Sequence, residues 1–339
     1  MRVTEVLQKT NIPDYSTALM SKQPHKNCTS LAESIGQSHD KLYNNFKEPI
    51  ERASELREQL EVIAKTELSG EELFLIFDDS TILKPHAKDI EGIDYCFDGC
   101  TGDTGLGLQM LTALLSDGNI KIPVELVPYI SKKIARLHFR SKSELAAKIY
   151  LCLITKFKID TVLADAHYAV KQFLALLTEL GQPFLMKFPC NRVVRIGNKK
   201  GQLKQIFRLK RNERFKSIQA EFHGHVYYFY VVKIKPGTIA YFISLDQYDQ
   251  DELSRLYKIR WGIELFHRTA KQSLGWKECQ MISNEKQVLH SFYVMYAYAI
   301  AEMVRVKLKF EKTEDAIRAI WDAKAPQATG GFCAAGQNF

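Results

Sequence analysis

Three observations predict an α/β fold: a strand-helix-strand-helix run mid-chain, further strand candidates behind it, and a wholly helical start. The expected arrangement is a mixed sheet with flanking helices over residues 71–310, interrupted by a β-strand insertion at about 184–246. A helical domain over 1–70, a DNA-binding candidate, precedes it, and a C-terminal tail over 311–339 follows.

Residues 1–70 show helical spacing without strand runs, as in LAESIGQSHDKLYNNF and PIERASELREQLEVIAKT, ending near Gly70 where a helix stop is expected. From Glu71 the pattern changes to LFLIFDDS, a nearly continuous apolar run suited to a strand covered on both faces. GLGLQMLTALLSD and IKIPVELVPYI, separated by the turn Asp117-Gly118-Asn119, read as antiparallel strands. SKSELAAKIYLCLITKF reads as an amphipathic helix, DTVLAD as a second buried strand, and HYAVKQFLALLTELG as a helix closed by glycine. Strands return as PFLMKF, NRVVRI, HVYYFYVVKI and TIAYFISL, broken by Gly197, Gly201, Gly224 and Gly237. Two long helices follow, Glu252 to Ser273 and Lys286 to Lys309, and the final APQATGGFCAAGQNF reads as a loose tail.

A chain of 339 residues that is 46% hydrophobic and 25% charged has the make-up of a folded protein of two or three parts, which excludes a mainly disordered one. The longest apolar run, Phe292 to Ala301, is half the roughly 20 residues a membrane-spanning helix needs, so no span is expected. MRVTEVLQKTNIPDYS lacks the apolar core of a secretory signal, which points to a cytoplasmic protein. The seven cysteines form no CxxC pair. Neither Cys96 with Cys100 nor His223 with His225 has a second pair to complete a zinc site, so free thiols are expected. The net charge of +8 is uneven, since residues 186–216 hold eleven Lys or Arg against the single acid Glu213. A solvated surface is the ordinary meaning of a lone charge run, but so one-sided a block suits a polyanion, nucleic acid above all. Lys199, Lys200, Lys210 and Arg211 are its candidate DNA contacts.

Asp79 stands at the end of LFLIFDD and Asp165 at the end of VLAD, the rim where α/β proteins place their sites, although a lone Asp after a strand more often caps a turn. Asp78 and Asp79 are adjacent and point to opposite faces, so only one serves. In LYKIRWGIELFHRTAKQSLG, Tyr257, Arg260, Glu264 and Lys271 lie at offsets 0, 3, 7 and 14, within a stripe of roughly 60° on one helix face. Ile259, Ile263, Phe266 and Ala270 gather on the other side, the natural core face. A solvent face with Arg260 paired to Glu264 accounts for the stripe equally well. On DNA, the same stripe sets a metal-binding carboxylate among cations that meet phosphate oxygens. Three carboxylates with hard divalent ions can activate a hydroxyl and stabilise a leaving oxygen, as phosphodiester transfer requires.

At these residues the chain resembles the DDE transposases of bacterial insertion sequences, in particular the insertion-sequence-4-like family with its Y-(2)-R-(3)-E-(6)-K signature. Tyr257, Arg260, Glu264 and Lys271 match that signature without a gap. The family's first catalytic Asp precedes one residue and then Thr, which selects Asp79-Ser80-Thr81 over Asp78. Its second often opens a D-A-x-Y phrase, here Asp165-Ala166-His167-Tyr168, and the resemblance spans roughly Leu73 to Ser273. It implies an RNase H-like core in which Asp79, Asp165 and Glu264 are catalytic and hold Mg2+ or Mn2+, two ions per site. It also implies double-stranded DNA as partner, both transposon ends and target, and a homodimer in the synaptic complex. Cut-and-paste excision through a DNA hairpin follows, with Tyr257, Arg260 and Lys271 on the terminal phosphate or a flipped base. Members of the family can stack a tryptophan of the β insertion on the hairpin, yet residues 184–256 contain none. Tyr227, Tyr228, Phe229, Tyr230 or Tyr241 remain for stacking, though such residues are otherwise sheet core. Two other functions fit the pattern: a metal-dependent nuclease that cuts without joining, and a DNA-binding relic of a transposase that has lost catalysis.

Overall fold

The computed structural model describes residues 2–8, 11–87, 89–99, 101–235 and 237–324; Cys100, Cys333 and the Gly/Ala-rich end of the chain lie outside the described residues. The helical start comprises α1 (Val3–Leu7), α2 (Asp14–Leu19), α3 (Cys28–Ser34), α4 (His39–Tyr43) and α5 (Pro49–Glu67). Then come β1 (Phe74–Leu83), β2 (Asp94–Asp98), β3 (Asp103–Ser116), β4 (Lys121–Tyr129), α6 (Lys132–Ala135), α7 (Lys142–Leu153), β5 (Thr161–Ala164), α8 (Lys171–Glu179) and β6 (Phe184–Lys187). The remainder is β7 (Val193–Ile196), β8 (Lys199–Gln202), α9 (Leu203–Ile206), β9 (Phe215–Phe222), β10 (His225–Lys235), β11 (Thr238–Ser244), α10 (Gln250–Gln272), α11 (Asn284–Leu308) and α12 (Thr313–Lys324).

Local chemistry sets the long helices' starts. Ser141 and Glu144 form a capping box ahead of α7, Asp249 caps α10 through the Glu252 amide, and Ser283 caps α11 through Lys286. The described strands form one mixed sheet in the order β2-β3-β1-β5-β6-β11-β10-β9-β7-β8, with β4 beside β3. β5 pairs in parallel with β1 and with β6, and α8 makes the crossover between β5 and β6. The β-rich stretch expected as an insertion is continuous with this sheet: its first strand, β6, lies beside β5, and β11 pairs antiparallel with β6. Three strands lack a signal in the sequence. β2, β8 and β9 are largely half-buried or exposed, so none shows the apolar run of a buried strand.

α11 is buried on nearly all sides from Leu289 to Val304, which explains its continuous apolar character, and α2, α5, α12 and β4 pack around it. The N-terminal helices bury Tyr15, Leu31 and Leu60 in the same core as Phe292 and the β1 strand. The expected tail is in part structured, since α12 buries Ala316, Ile317 and Ile320. It is tied to α11 by the Thr313 hydroxyl, which donates to Glu302 at 2.5 Å. No helix among the described residues is long and apolar enough to cross a membrane, and Cys28, Cys96, Cys152, Cys190 and Cys279 are free thiols.

Glu302, 0% exposed, joins three elements: Lys121 of β4 at 3.2 Å, Arg305 of its own helix at 2.7 Å, and Thr313 of α12. Burial alone would raise its carboxyl, but Lys121 and Arg305 outweigh burial and hold it below the ordinary range. Glu302→Ala, which strands both cations, is expected to lower unfolding stability by about 3–5 kcal/mol in chemical denaturation, and Glu302→Gln by less.

Candidate active site

β1 carries Asp78 and Asp79, and its alternation separates them. Phe74, Ile76, Asp78 and Ser80 point to the face crossed by α10. There the Arg255 guanidinium sits 5.4 Å over the Phe74 ring. Thr112, the cross-strand partner of Asp78, brings its hydroxyl within 3.3 Å of His267 Nε2. Phe77 and Asp79 point to the other face, where Phe77 packs on Tyr168 and Phe173 at ring distances of 6.2 and 6.0 Å. Lys142, the first residue of α7, donates to Asp79 Oδ2 at 2.6 Å, and the Tyr168 hydroxyl reaches Asp79 Oδ1 at 3.5 Å.

Asp165 directly follows β5. Phe77 is in register with Ala164 on this parallel strand, so the next rung sets Asp165 beside Asp78. Lys187 Nζ stands 3.7 Å from Asp165 Oδ1 and 5.3 Å over the Tyr257 ring, which puts Asp165 on the α10 side too. Asp78, and not the expected Asp79, therefore shares a face with Asp165. The spacing to Thr81 favours Asp79, but the pleat turns Asp79 toward Lys142 and gives the shared face to Asp78.

From α10 comes Arg260, 3% exposed, which pairs with Glu264 and lies 5.2 Å over the Tyr257 ring. Tyr257 in turn meets Phe242 edge-on at 5.4 Å. The i,i+4 pair therefore forms, but on a face turned inward; solvent meets Lys258, Arg268 and the half-exposed Trp261 instead. Trp261 lies on α10, outside residues 184–256, which contain no tryptophan. Lys271 is drawn away from the carboxylates: its ammonium lies 3.9 Å from Asp98 of β2, and both side chains are nearly buried.

Charge is crowded on this face. Burial first, then the Asp79 and Asp165 charges, push the Asp78 carboxyl up to about 7 against the opposing pull of Arg260. Burial works against the Arg260 charge, yet Glu264, Asp78 and Asp165 hold its pKa above the ordinary value. Asp165 Oδ1 is buried with no hydrogen-bond partner. Among the described residues no three His, Cys, Asp or Glu side chains are gathered to hold a metal ion as they stand. Glu264 is instead taken up by Arg260. Two crowded carboxylates with an unbonded buried oxygen nonetheless form a donor pair that suits a hard cation.

The basic block lies elsewhere. Lys199 and Lys200 are exposed on β8, the last strand of the sheet, and Lys210 and Arg211 are exposed between α9 and β9. Six strand spacings separate β8 from β5, on the order of 28 Å along a sheet. Of the tyrosines considered for stacking, Tyr227 and Tyr230 are buried, as is Phe229, while Tyr228 and Tyr241 are half-buried.

The two faces separate in a stability measurement. A carboxyl raised from 3.8 to about 7 on folding contributes stability below pH 3.8 that is lost as pH rises through 7. Asp78→Asn is therefore expected to raise stability at pH 8 in metal-free buffer, on the order of 2 kcal/mol, with the gain vanishing toward pH 4. Asp79→Asn relieves part of the repulsion on Asp78 but breaks the Lys142 pair, so its gain is expected to be smaller; thermal melts at the two pH values read both.

A profile described as "Transposase DDE domain" matches residues 129–300, and one described as "DDE superfamily endonuclease" matches residues 3–201. No curated protein sequence matches the chain. Among solved structures, a piggyBac transposase synaptic complex with hairpin DNA is similar at TM-score 0.53 and 11% identity, covering 95% of this chain and 75% of that one. The NurA nuclease from Sulfolobus solfataricus (TM-score 0.30, 12% identity, 66% of this chain and 84% of that) is a more distant match. So is a Mos1 mariner paired end complex with Mn (TM-score 0.19, 15% identity, 52% and 59%). The mixed sheet with helices on both faces agrees with the piggyBac likeness in fold, and each of the two profiles covers half of the sequence or more: the chain belongs to the DDE transposase and endonuclease superfamily.

Proposed function

We propose that this chain is a cut-and-paste transposase: it cleaves DNA at transposon ends and joins the released 3′ ends to target DNA. Asp78, Asp165 and Glu264 are the metal-holding carboxylates, and Mg2+ or Mn2+ is the ion. The observation that carries the reading is the single rung shared by Asp78 and Asp165 beneath the helix that bears Arg260 and Glu264. Bound there, divalent ions supply an activated oxygen nucleophile and charge stabilisation at the leaving oxygen. Arg260, shielded from water and stacked on Tyr257, would offer a fixed fork to a phosphate oxygen if Glu264 held an ion instead of pairing with it. Lys187, beside Asp165, offers a second cation. Lys271, engaged with Asp98, acts on the seating of α10 rather than on phosphate.

Excision through a hairpin belongs to the proposal, because one carboxylate set faces two strands of opposite polarity and the released 3′-hydroxyl is the nearest nucleophile for the second. The distortion requires an unstacked base, for which Arg260 and Tyr257 lie close to the carboxylates. The exposed Lys199, Lys200, Lys210 and Arg211 supply non-specific grip on DNA beyond the cut, and two copies of the chain synapse the two ends.

Asp78→Asn and Asp165→Asn are expected to reduce Mg2+- or Mn2+-dependent plasmid nicking by at least about 10³-fold while DNA binding persists, and Asp79→Asn to stay within about tenfold of the parent. Equal loss at Asp78 and Asp79 would return the choice to Asp79. Nicking without strand-transfer products would mark a nuclease, and binding without nicking a relic. Replacing Lys199, Lys200, Lys210 and Arg211 with Gln is expected to flatten the plot of log affinity against log salt by up to about 0.9 for each phosphate left without its cation, with nicking at low salt retained.

A further inference from the structure

The segment joining β4 to α7 differs from the rest of the surface. Between Glu125 and Glu144 it carries Lys132, Lys133, Arg136, Arg140 and Lys142 and no acid. Leu137 within it is 95% exposed, and on the neighbouring edge strand β2, Tyr95 and Phe97 are 72% and 59% exposed. The Ser131 hydroxyl donates to Asp94 Oδ2 at 2.5 Å, which ties the segment to β2 and engages the acid beside it.

Both ends of the segment are anchored. Phe139 meets Tyr129 edge-on at 6.2 Å. Lys142 Nζ sits 5.1 Å over the same Tyr129 ring while it donates to Asp79. Its base is thus clamped to the strand position next to Asp78. At the tip, Arg136 adopts φ 48° and ψ −113°, a left-handed conformation that favours glycine. A side chain of leucine's size gains nothing from standing in water, and a strained turn that raises it there is itself unfavourable. Both features are accounted for if a partner takes the leucine.

We propose that residues 131–140 form a DNA-distorting wedge: Leu137 enters the base stack beside the cleavage position while Lys132, Lys133, Arg136 and Arg140 hold the flanking phosphates. This rests on the DNA-cutting reading above and names the part of the chain that unstacks the duplex. Apolar side chains flanked by cations are the means by which architectural proteins pry base steps apart and bend DNA. The occupant is duplex DNA rather than a protein, because Lys132, Lys133, Arg136 and Arg140 are all exposed and no acid interrupts them within the segment. The clamp at Lys142 and Asp79 ties the base of the wedge to β1 at the residue next to Asp78. Wedge and carboxylates therefore address one stretch of DNA.

The test uses the full chain, Ca2+ in place of Mg2+, and a nicked duplex of arbitrary sequence with 2-aminopurine next to the nick. A fluorescence rise on binding reports unstacking. Leu137→Ser is expected to remove about half of that rise or more, with affinity within about threefold of the parent, and Leu137→Phe to restore it. Replacing Lys132, Lys133, Arg136 and Arg140 with Gln is expected to lower the salt slope by up to about 0.9 per residue. An unchanged rise in Leu137→Ser overturns the wedge. So does a Leu137→Ser protein that turns from dimer to monomer with its fluorescence rise intact, which would mark the patch as a contact between copies. If the parent nicks plasmid with Mg2+ or Mn2+ but gives no rise, the wedge alone fails; if it neither binds nor nicks DNA, the proposed function fails with it.

Discussion

Parallel pairing of β1 with β5 is the constraint on which the site depends. In a parallel ladder, residues of one rung point the same way, so the register that matches Phe77 with Ala164 also commits Asp78 and Asp165 to one face. Burial first, then the charge of Asp79 and more weakly that of Asp165, raises the Asp78 pKa. A parallel register needs a covered crossover, and α7 and α8 supply the cover on the Asp79 face. α10 covers the opposite face and brings Arg260, so the same packing that buries the sheet also delivers the cation.

The pleat gives each of the two neighbouring aspartates a separate task. Asp79 is neutralised by Lys142, an ordinary ion pair that fastens the start of α7 to the sheet. Asp78 has the Arg260 charge and one hydrogen bond, from the Asp79 amide at 2.9 Å, to set against burial and two acidic neighbours. Glu302 marks the contrast, because it is fully buried yet surrounded by Lys121, Arg305 and Thr313, and its charge is held. One buried acid is built into the scaffold with its partners complete. The other is left short of partners, as a group must be if it is to take a ligand.

The sheet is also a spacer. By extending past β6 through β11, β10, β9 and β7 to β8, it carries Lys199 and Lys200 to the far edge, several strand widths from the carboxylates. The exposed cations of β8 are thus set well apart from the charges on the carboxylate face. The acid-free segment after β4 holds cations near the carboxylate rung, so charge flanks the site at short and long range.

Much of this was legible in the sequence, for identifiable reasons. Apolar periodicity is local, so β1, β3, β4, β5, α7, α8, α10 and α11 could be read from spacing and caps. The Tyr257, Arg260, Glu264 and Lys271 spacing pointed to one helix, and the charge of residues 186–216 could be counted directly. β2, β8 and β9 were missed because strands without buried runs leave no such pattern, and α12 because a short amphipathic helix draws its stability from docking on α11. Which of Asp78 and Asp79 shares a face with Asp165 lay beyond any spacing argument. Two adjacent strand residues always face opposite ways, and which way is inward depends on the β5 and α10 partners that tertiary structure supplies. For the same reason Lys271 has the spacing of a phosphate contact, yet its neighbour is Asp98, 173 positions earlier in the chain. The sequence by itself determined the elements and the charges they carry; only the packing of distant strands decided which of those charges meet.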